Sequence, residues 1–529
     1  MSDAAINALL DQAAAQQRAG KGAHAIPILR EAAKQRPGEA SIWNALGCAL
    51  CQQSEFGEGV AALRRASELE PERGEFLLSL AAGYRAGGQI EDAIAVMQRV
   101  IARRPGDVEP IEMMADLLRE SDRLDEAIEA FGRVLESKPR DARILNNFSV
   151  TLRERGRWEQ AIAAGKEAVE IDPSYAGGWS NLSITLAKVN RMAEAIAAAA
   201  RAVELEPKRP VYQWNLATAL LKAGRLEEGF RHAQARWQTA EIHPTPRHFN
   251  RPHWDGSELE SRRLLLHTEQ GMGDTLQFIR YLPLVAARAG RIIFESPPPL
   301  RRLLVPCEAF AQIVVGGDAL PDFDVQCALM DLPLIFKTTL QTIPANVPYL
   351  QADPALAAGW RTRVAVAGET KLNVAIVWAG NPEHKNDRRR SIDPSLLEPI
   401  RKVAGARLFS LQTVGQRGFS ANAHAVAAEM GMIDWTDGLV DFADTAAFLA
   451  NMDLVICVDT AVAHLAGALG KPVWLLLPTA SDWRWLTDRA DSPWYPTMRL
   501  FRQEVPGDWT TPIMRVAESL RSAAQGSLL

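Results

Sequence analysis

Residues 264–283 read LLLHTEQGMGDTLQFIRYLP: an apolar strand runs into Glu269 and Gln270, then Gly271 and Gly273, and Asp274 opens a helical pattern. A strand-to-helix turn needs one glycine and a capping residue, and Asp274 can be that cap. The two glycines also leave space for a ligand beside the turn, so the tip of this strand, with Asp274 and Glu269, can instead face a substrate. The residues leave both readings open. A second stretch, VICVDTAVAHLAGALGKPVWLLLPT (455–479), ends another strand at Asp459 and starts a helix. Unpaired backbone N–H groups at such a helix start attract phosphate, here at Thr460, Ala461 and Val462. Asp459 either caps this helix or borders the ligand, and His464 faces the phosphate from the first turn or packs under a neighbouring strand. A third stretch, WAGNPEHKNDRRRSID (378–393), follows a strand and carries Lys385, Arg388, Arg389 and Arg390. Guanidinium groups grip two phosphate oxygens at once. Three consecutive arginines cannot all point inward, so Lys385 and Arg390 are the candidates.

These loops need strands behind them. RLLLHT, RIIFES, AQIVVG and FDVQCAL form one series, and NVAIVWAG, RLFSLQ, DLVICVD, KPVWLLLP and MRLFRQ a second. Strands alternating with helical stretches imply parallel sheets, with ligands bound beyond the strands' carboxyl ends. The expectation is two Rossmann-like lobes, 262–360 and 361–529, facing across a cleft. Upstream, HPTPRHFNRPHWDGSEL (243–259) is rich in proline and histidine and reads as a linker over 241–261.

The region before that linker is periodic. Prolines fall at 37, 71, 105, 139, 173 and 207, each 34 residues after the last. Small residues recur in phase at Ala25, Gly59, Ala93, Ala127, Ala161 and Ala195, and again at Gly47, Ala81, Ala115, Ser149, Ser183 and Ala217. Two small-residue phases let paired helices approach closely, and each proline stops the second helix of a pair. The period, with GRWEQAIAAGKEAVEIDP and NRMAEAIAAAARAVELEP, resembles the tetratricopeptide repeat, so residues 1–240 are expected to form an α-solenoid. Asn147, Asn181 and Asn215 also lie 34 apart. Their amides either bind the main chain of an extended polypeptide or hold the adjoining helix. The position resembles the asparagine ladder of the protein O-GlcNAc transferases; earlier repeats have Ala45, Ser79 and Met113 there.

The chain of 529 residues is too long for one core, and its net charge of −5 argues against general affinity for nucleic acid or anionic membrane. No apolar run is long enough to span a bilayer, and the first residues show no secretory signal. Five scattered cysteines fit a reduced, cytoplasmic setting. Cys48 and Cys51 lack further ligands at metal-site spacing and read as small helix-core residues.

GMGDTLQFIRYLP is similar to the Gly-Asp…Pro opening of the heptosyltransferases. The 455–479 stretch resembles that family's Asp-Thr-Gly-x-x-His-Leu-x-x-Ala-Leu-x-x-Pro motif through Asp459, Thr460, His464, Ala468 and Pro472. Ala461 stands where the family has glycine. The resemblance implies a GT-B glycosyltransferase, bacterial and metal-independent, with no cofactor beyond a nucleotide-sugar co-substrate. It makes Asp274 the catalytic base, with Gly273 leaving room for the acceptor. Asp459, Thr460, Ala461, His464, Lys385 and Arg390 become the donor side. With the repeats, it implies a polypeptide acceptor held by Asn147, Asn181 and Asn215. The alternatives are an inactive interaction scaffold or a heptosyltransferase of the lipopolysaccharide type.

Overall fold

Each 34-residue unit folds as a helical hairpin because its stops are written into the chain. The computed structural model describes residues 11–13, 15–16, 22–239, 247, 249–368, 372–384, 386–413 and 421–526. Its first helices are α1 (Gly22–Gln35), α2 (Ala40–Gln52), α3 (Phe56–Leu69), α4 (Gly74–Ala86), α5 (Ile90–Arg103), α6 (Val108–Glu120) and α7 (Leu124–Ser137). Then follow α8 (Ala142–Arg155), α9 (Trp158–Ile171), α10 (Ala176–Lys188), α11 (Met192–Leu205), α12 (Pro210–Lys222) and α13 (Leu226–His232). Glu70, Arg104, Lys138, Asp172 and Glu206 each precede a phased proline and leave the helical region at φ between −127° and −136°. The proline ring disfavours helical backbone in the residue before it. Within each hairpin the turn needs a left-handed residue, supplied by Ser54, Gly88, Asp122, Gly156, Asn190 and Gly224 at φ of 61° to 86°. These six are also 34 apart, a second phased signal.

The small-residue phases are the helix crossings. A methyl group on Gly47 would lie 2.7 Å from the Gly59 carbonyl oxygen and 2.5 Å from Leu63. Ala25, Ala93, Ala127, Ala161 and Ala195 are completely buried. The chain divides into two compact units, Met1–Thr185 and Leu186–Leu529. In the first, Arg85 pairs with Glu120, and Arg119 lies 3.8 Å from Glu154, one period on.

The second unit contains the last helices together with both sheets. The first sheet holds β1 (Arg263–His267), β2 (Arg291–Ser296), β3 (Gln312–Val315) and β4 (Val325–Ala328) in the order β3-β2-β1-β4. The second holds β5 (Leu372–Val377), β6 (Ala406–Ser410), β7 (Ile433–Asp434), β8 (Leu454–Val458), β9 (Val473–Leu477) and β10 (Met498–Arg502), ordered β10-β9-β8-β5-β6-β7. Every ladder is parallel. The strands are apolar on both faces; β8 and β9 are buried throughout, as expected of sheets covered on both sides. The strand order reverses between β1 and β4 and between β5 and β8. Ligands of such sheets bind outside the carboxyl ends at these reversals.

The described part of the 241–261 stretch does more than link. Trp254 is buried in the core of the second unit, and its backbone N–H donates to the Gln326 carbonyl at 2.8 Å. Behind α13, Arg236 is 1% exposed and donates to Glu269 at 2.7 and 2.8 Å and to Asp331 at 2.6 Å. Gln234 and His253 complete the shell of Asp331 at 2.7 and 2.9 Å. Although burial raises Asp331, Arg236 and His253 outweigh it and hold the carboxyl well below its ordinary range. The hydrogen bond to Asp331 lifts His253 above the usual imidazole range. Removing the guanidinium leaves buried Asp331 with His253 as its charged partner and takes the bidentate partner from Glu269. Arg236→Met should therefore cost about 3–5 kcal/mol, read as a lower denaturant midpoint for the unfolding of the second unit.

Candidate functional site

The reversal points of the two sheets supply the chemistry. After β1 the chain turns through Gly271 and Gly273 into α14 (Met272–Phe278). After β8 it turns through Asp459 and Thr460 into α15 (Ala461–Ala468). A methyl group on Gly273 would lie 3.0 Å from the His464 ring and 3.7 Å from the Ala461 Cα, so the glycine allows the two helix starts to meet. Asp274 does cap its own turn: the Gly271 N–H donates to Oδ2 at 3.0 Å. Its Oδ1 pairs with Arg484. The carboxylate keeps 20% of its side-chain surface open. Burial raises its pKa against the pull of Arg484.

Arg484 is buried and uses each arm of its guanidinium. Nε donates to Gln277 Oε1 at 2.5 Å, Nη1 to Asp482 Oδ1 at 2.8 Å, and Nη2 to Asp274. Its carbon also lies 4.4 Å from the centre of the Trp483 ring. Asp482 is held below the carboxylate range, Arg484 outweighing its burial. Asp459 behaves oppositely: burial first, then Asp482, push its carboxyl up to about 6. One guanidinium thus stands among three acids, one of which titrates near neutrality.

His464 is 5% exposed, stacks on Trp485 at 5.4 Å, and meets the Tyr495 hydroxyl through Nδ1 at 2.8 Å. The Tyr349 hydroxyl donates to the Leu276 carbonyl at 2.8 Å and accepts from Arg280 at 2.9 Å. With the Tyr495 proton on the bond to Nδ1, the ring proton lies on Nε2, the edge beside Gly273. Burial, reinforced by Arg484, drives the imidazole down to about 3. His464 is therefore neutral at physiological pH.

The basic loop sends one arginine inward. Arg390 donates to the Asp459 carbonyl at 2.9 Å and to Asp387 at 3.2 Å, and a side chain at Gly380 would collide with its guanidinium. Arg388 and Arg389 are exposed, and Lys385 lies outside the described residues. Thr460, not Asp459, is the N-cap of α15; it makes no side-chain cap, and its Oγ1 is buried with no hydrogen-bond partner among the described residues. Ala461 is half-buried at that helix start. Glu269 is withdrawn from chemistry by its buried pair with Arg236. In the first unit Asn181 donates to Asn146 at 3.0 Å, and Asn146 donates to Asn147 at 3.4 Å. The Asn181 amide thus joins α10 to α8, whereas the Asn147 contact stays within α8. Asn215 is half-buried on α12 in the second unit, where its carbonyl accepts from Thr218 at 2.9 Å. Ligand atoms of His253, Cys327 and Asp331 fall within 4.8 Å of one another. Arg236 already neutralises Asp331 there, and burial keeps the Cys327 thiol protonated, so the trio has the wrong charge for a cation.

Sequence reasoning passed over Arg484, Asp482 and Tyr495. They lie in the tryptophan-rich SDWRWLTDRADSPWYP stretch. A charged Asp-x-Arg between tryptophans was the available signal, since a buried arginine requires partners. The neutral His464 yields a stability test. Its folded pKa lies below the unfolded value of about 6.5, so the unfolded chain binds the extra proton as pH falls. Between pH 7 and pH 5 the second unit should lose about 2 kcal/mol from this residue. His464→Gln should abolish that part of the loss in urea unfolding at the two pH values.

Residues 437–481 match glycosyltransferase family 9 (heptosyltransferase). Residues 44–108, 112–176 and 152–220 match tetratricopeptide repeats. Protein FlbA of Caulobacter vibrioides is 30% identical over 291 residues, which are 51% of this chain and 48% of FlbA. The chain thus spans about half the length of that relative. Among solved structures, a tetratricopeptide-repeat protein from Parabacteroides merdae is 15% identical, covering 45% of this chain and 93% of that one at a TM-score of 0.40. MamA from Desulfovibrio magneticus RS-1 is 18% identical, covering 32% and 96% at 0.30. No helix among the described residues is long and apolar enough to cross a membrane. The chain joins tetratricopeptide repeats to a C-terminal heptosyltransferase-like glycosyltransferase module.

Proposed function

We propose that the second unit transfers a sugar from a nucleotide-diphosphate sugar to an acceptor hydroxyl, and that the acceptor is a polypeptide recruited by the repeats. The observation that carries this reading is the meeting of the two helix starts at Gly273 and His464, with Asp274 on one side and uncapped N–H groups on the other. In this reading the diphosphate lies on Thr460, Ala461 and Val462, with Arg390 and the Nε2–H of His464 as further donors. The orphan hydroxyl of Thr460 gains a partner when phosphate is bound. Asp274 takes the acceptor proton as the anomeric carbon is attacked. Donor charge is met by protein donors, and the reaction runs without a metal. The lobe 262–360 is the acceptor side and 361–529 the donor side. The compartment is cytoplasmic.

Arg484 gives the base its working state. Burial already raises Asp274 despite Arg484; an acceptor hydroxyl replacing Arg484 at Oδ1 would meet a desolvated, still more basic carboxylate. Asp274→Asn keeps the Gly271 cap, because Asn caps about as well as Asp, but removes the proton acceptor. Turnover should fall roughly 100- to 10,000-fold, with donor affinity nearly unchanged. Arg390→Ala should instead cost about 1.5–3 kcal/mol in donor binding. A thermal-shift screen of nucleotide sugars identifies the donor; no shift with any of them, or near-normal turnover in Asp274→Asn, would overturn the assignment.

A further inference from the structure

One buried cation of the second unit has no acid beside it. Arg280, in the turn after α14, is 4% exposed, with no carboxylate within ion-pair distance among the described residues. Oxygens and ring faces meet its charge instead. Nε donates to the Gln277 carbonyl at 2.7 Å, Nη1 to the Trp494 carbonyl at 2.5 Å and Nη2 to the Tyr349 hydroxyl at 2.9 Å. The guanidinium carbon stands 4.5 Å from the centre of the Tyr495 ring and 4.7 Å from that of Tyr349. Cation and phenols therefore hold one another in place.

The two hydroxyls lead from this cation to His464. Each hydroxyl has a single proton to give. That of Tyr349 goes to the Leu276 carbonyl at 2.8 Å. Tyr495 is completely buried, and burial keeps its hydroxyl protonated. Two acceptors stand near that proton, the Tyr349 oxygen at 3.5 Å and His464 Nδ1 at 2.8 Å. A proton on Nδ1 would leave the Tyr495 proton the 3.5 Å contact alone, at the outer limit of a hydrogen bond. With Nδ1 bare, Tyr495 and the imidazole share one short bond. The ring itself is fixed by its stack on Trp485. Its far edge faces the Gly273 turn, where a methyl group on the glycine would lie 3.6 Å from Nε2. We infer that Tyr495 is a positioning residue whose hydroxyl, packed against Arg280, fixes His464 as the tautomer that offers Nε2–H to the donor diphosphate. The identity of that ligand rests on the function proposed above. The opposite tautomer would turn a lone pair towards phosphate oxygens, which can only accept.

Proton–nitrogen NMR on the histidine-labelled full chain reads the tautomer directly, with His464 identified by its absence from His464→Gln. Wild type should show Nε2 protonated and Nδ1 as a hydrogen-bonded acceptor. Tyr495→Phe keeps the ring contacts and should move Nδ1 to the position of a free acceptor. Tyr349→Phe, which removes the competing oxygen, should leave Nδ1 hydrogen-bonded. Calorimetry with pyrophosphate reads the consequence for binding. Tyr495→Phe should bind it about tenfold more weakly, the worth of one charge-assisted hydrogen bond. In the His464→Gln background the same change should cost nothing further, because the two side chains act as a unit. A wild-type ring protonated on Nδ1, or a Tyr495→Phe loss undiminished in His464→Gln, would overturn the inference. An Nε2-protonated ring that responds to Tyr495→Phe in a protein that binds no pyrophosphate would uphold Tyr495 as the residue setting the ring and overturn the diphosphate assignment instead.

Discussion

The Arg484 guanidinium is the contact on which the candidate site depends. It comes from the loop beyond β9 and reaches Asp274 and Gln277 on α14, so one side chain ties the second sheet's loops to the first sheet's helix. Its planar fork gives each nitrogen a separate acceptor, which an ammonium group could not satisfy in the same geometry. Asp482 supplies a local counter-charge, leaving Asp274 an incomplete claim on the cation. A carboxylate held in this way is oriented by its cap and its ion pair together, and its basicity depends on what stands in the arginine's place.

Around that hub, burial sorts the ionisable groups into different states. Asp482 remains anionic because Arg484 is beside it. Asp459 is raised by its burial and then by Asp482, and His464 is kept neutral by burial in an aromatic shell. Acid, base and neutral donor are thus made from ordinary residues by differences in desolvation and partner charge. Glu269 shows the same principle with another outcome: held bidentate by Arg236, it stabilises the fold and is closed to chemistry.

The repeats and the sheets are less separable than their sequence periods suggest. The last hairpins fall in the same compact unit as both lobes, and Arg236 beyond α13 closes the carboxyl ends of β1 and β4. A repeat normally touches only its neighbours. Here the final repeat has exchanged its next neighbour for an α/β surface.

The sequence alone determined whatever recurs or is local. Phased prolines, alanines and glycines dictated the hairpins, because steric limits act between residues a fixed distance apart. The apolar runs ending in Asp-Thr and Gly-Asp dictated strands, turns and helix starts, and so the expected strands formed. Asp459 stood out directly after β8, and Asp274 and His464 in the first turns of the helices that follow β1 and β8. Only the tertiary structure decided which groups meet: Asp274 with Arg484 lies 210 positions apart, and Arg236 with Asp331 lies 95. No period or motif links such pairs. Their partners and protonation states follow from desolvation, which exists only once the chain has folded around them.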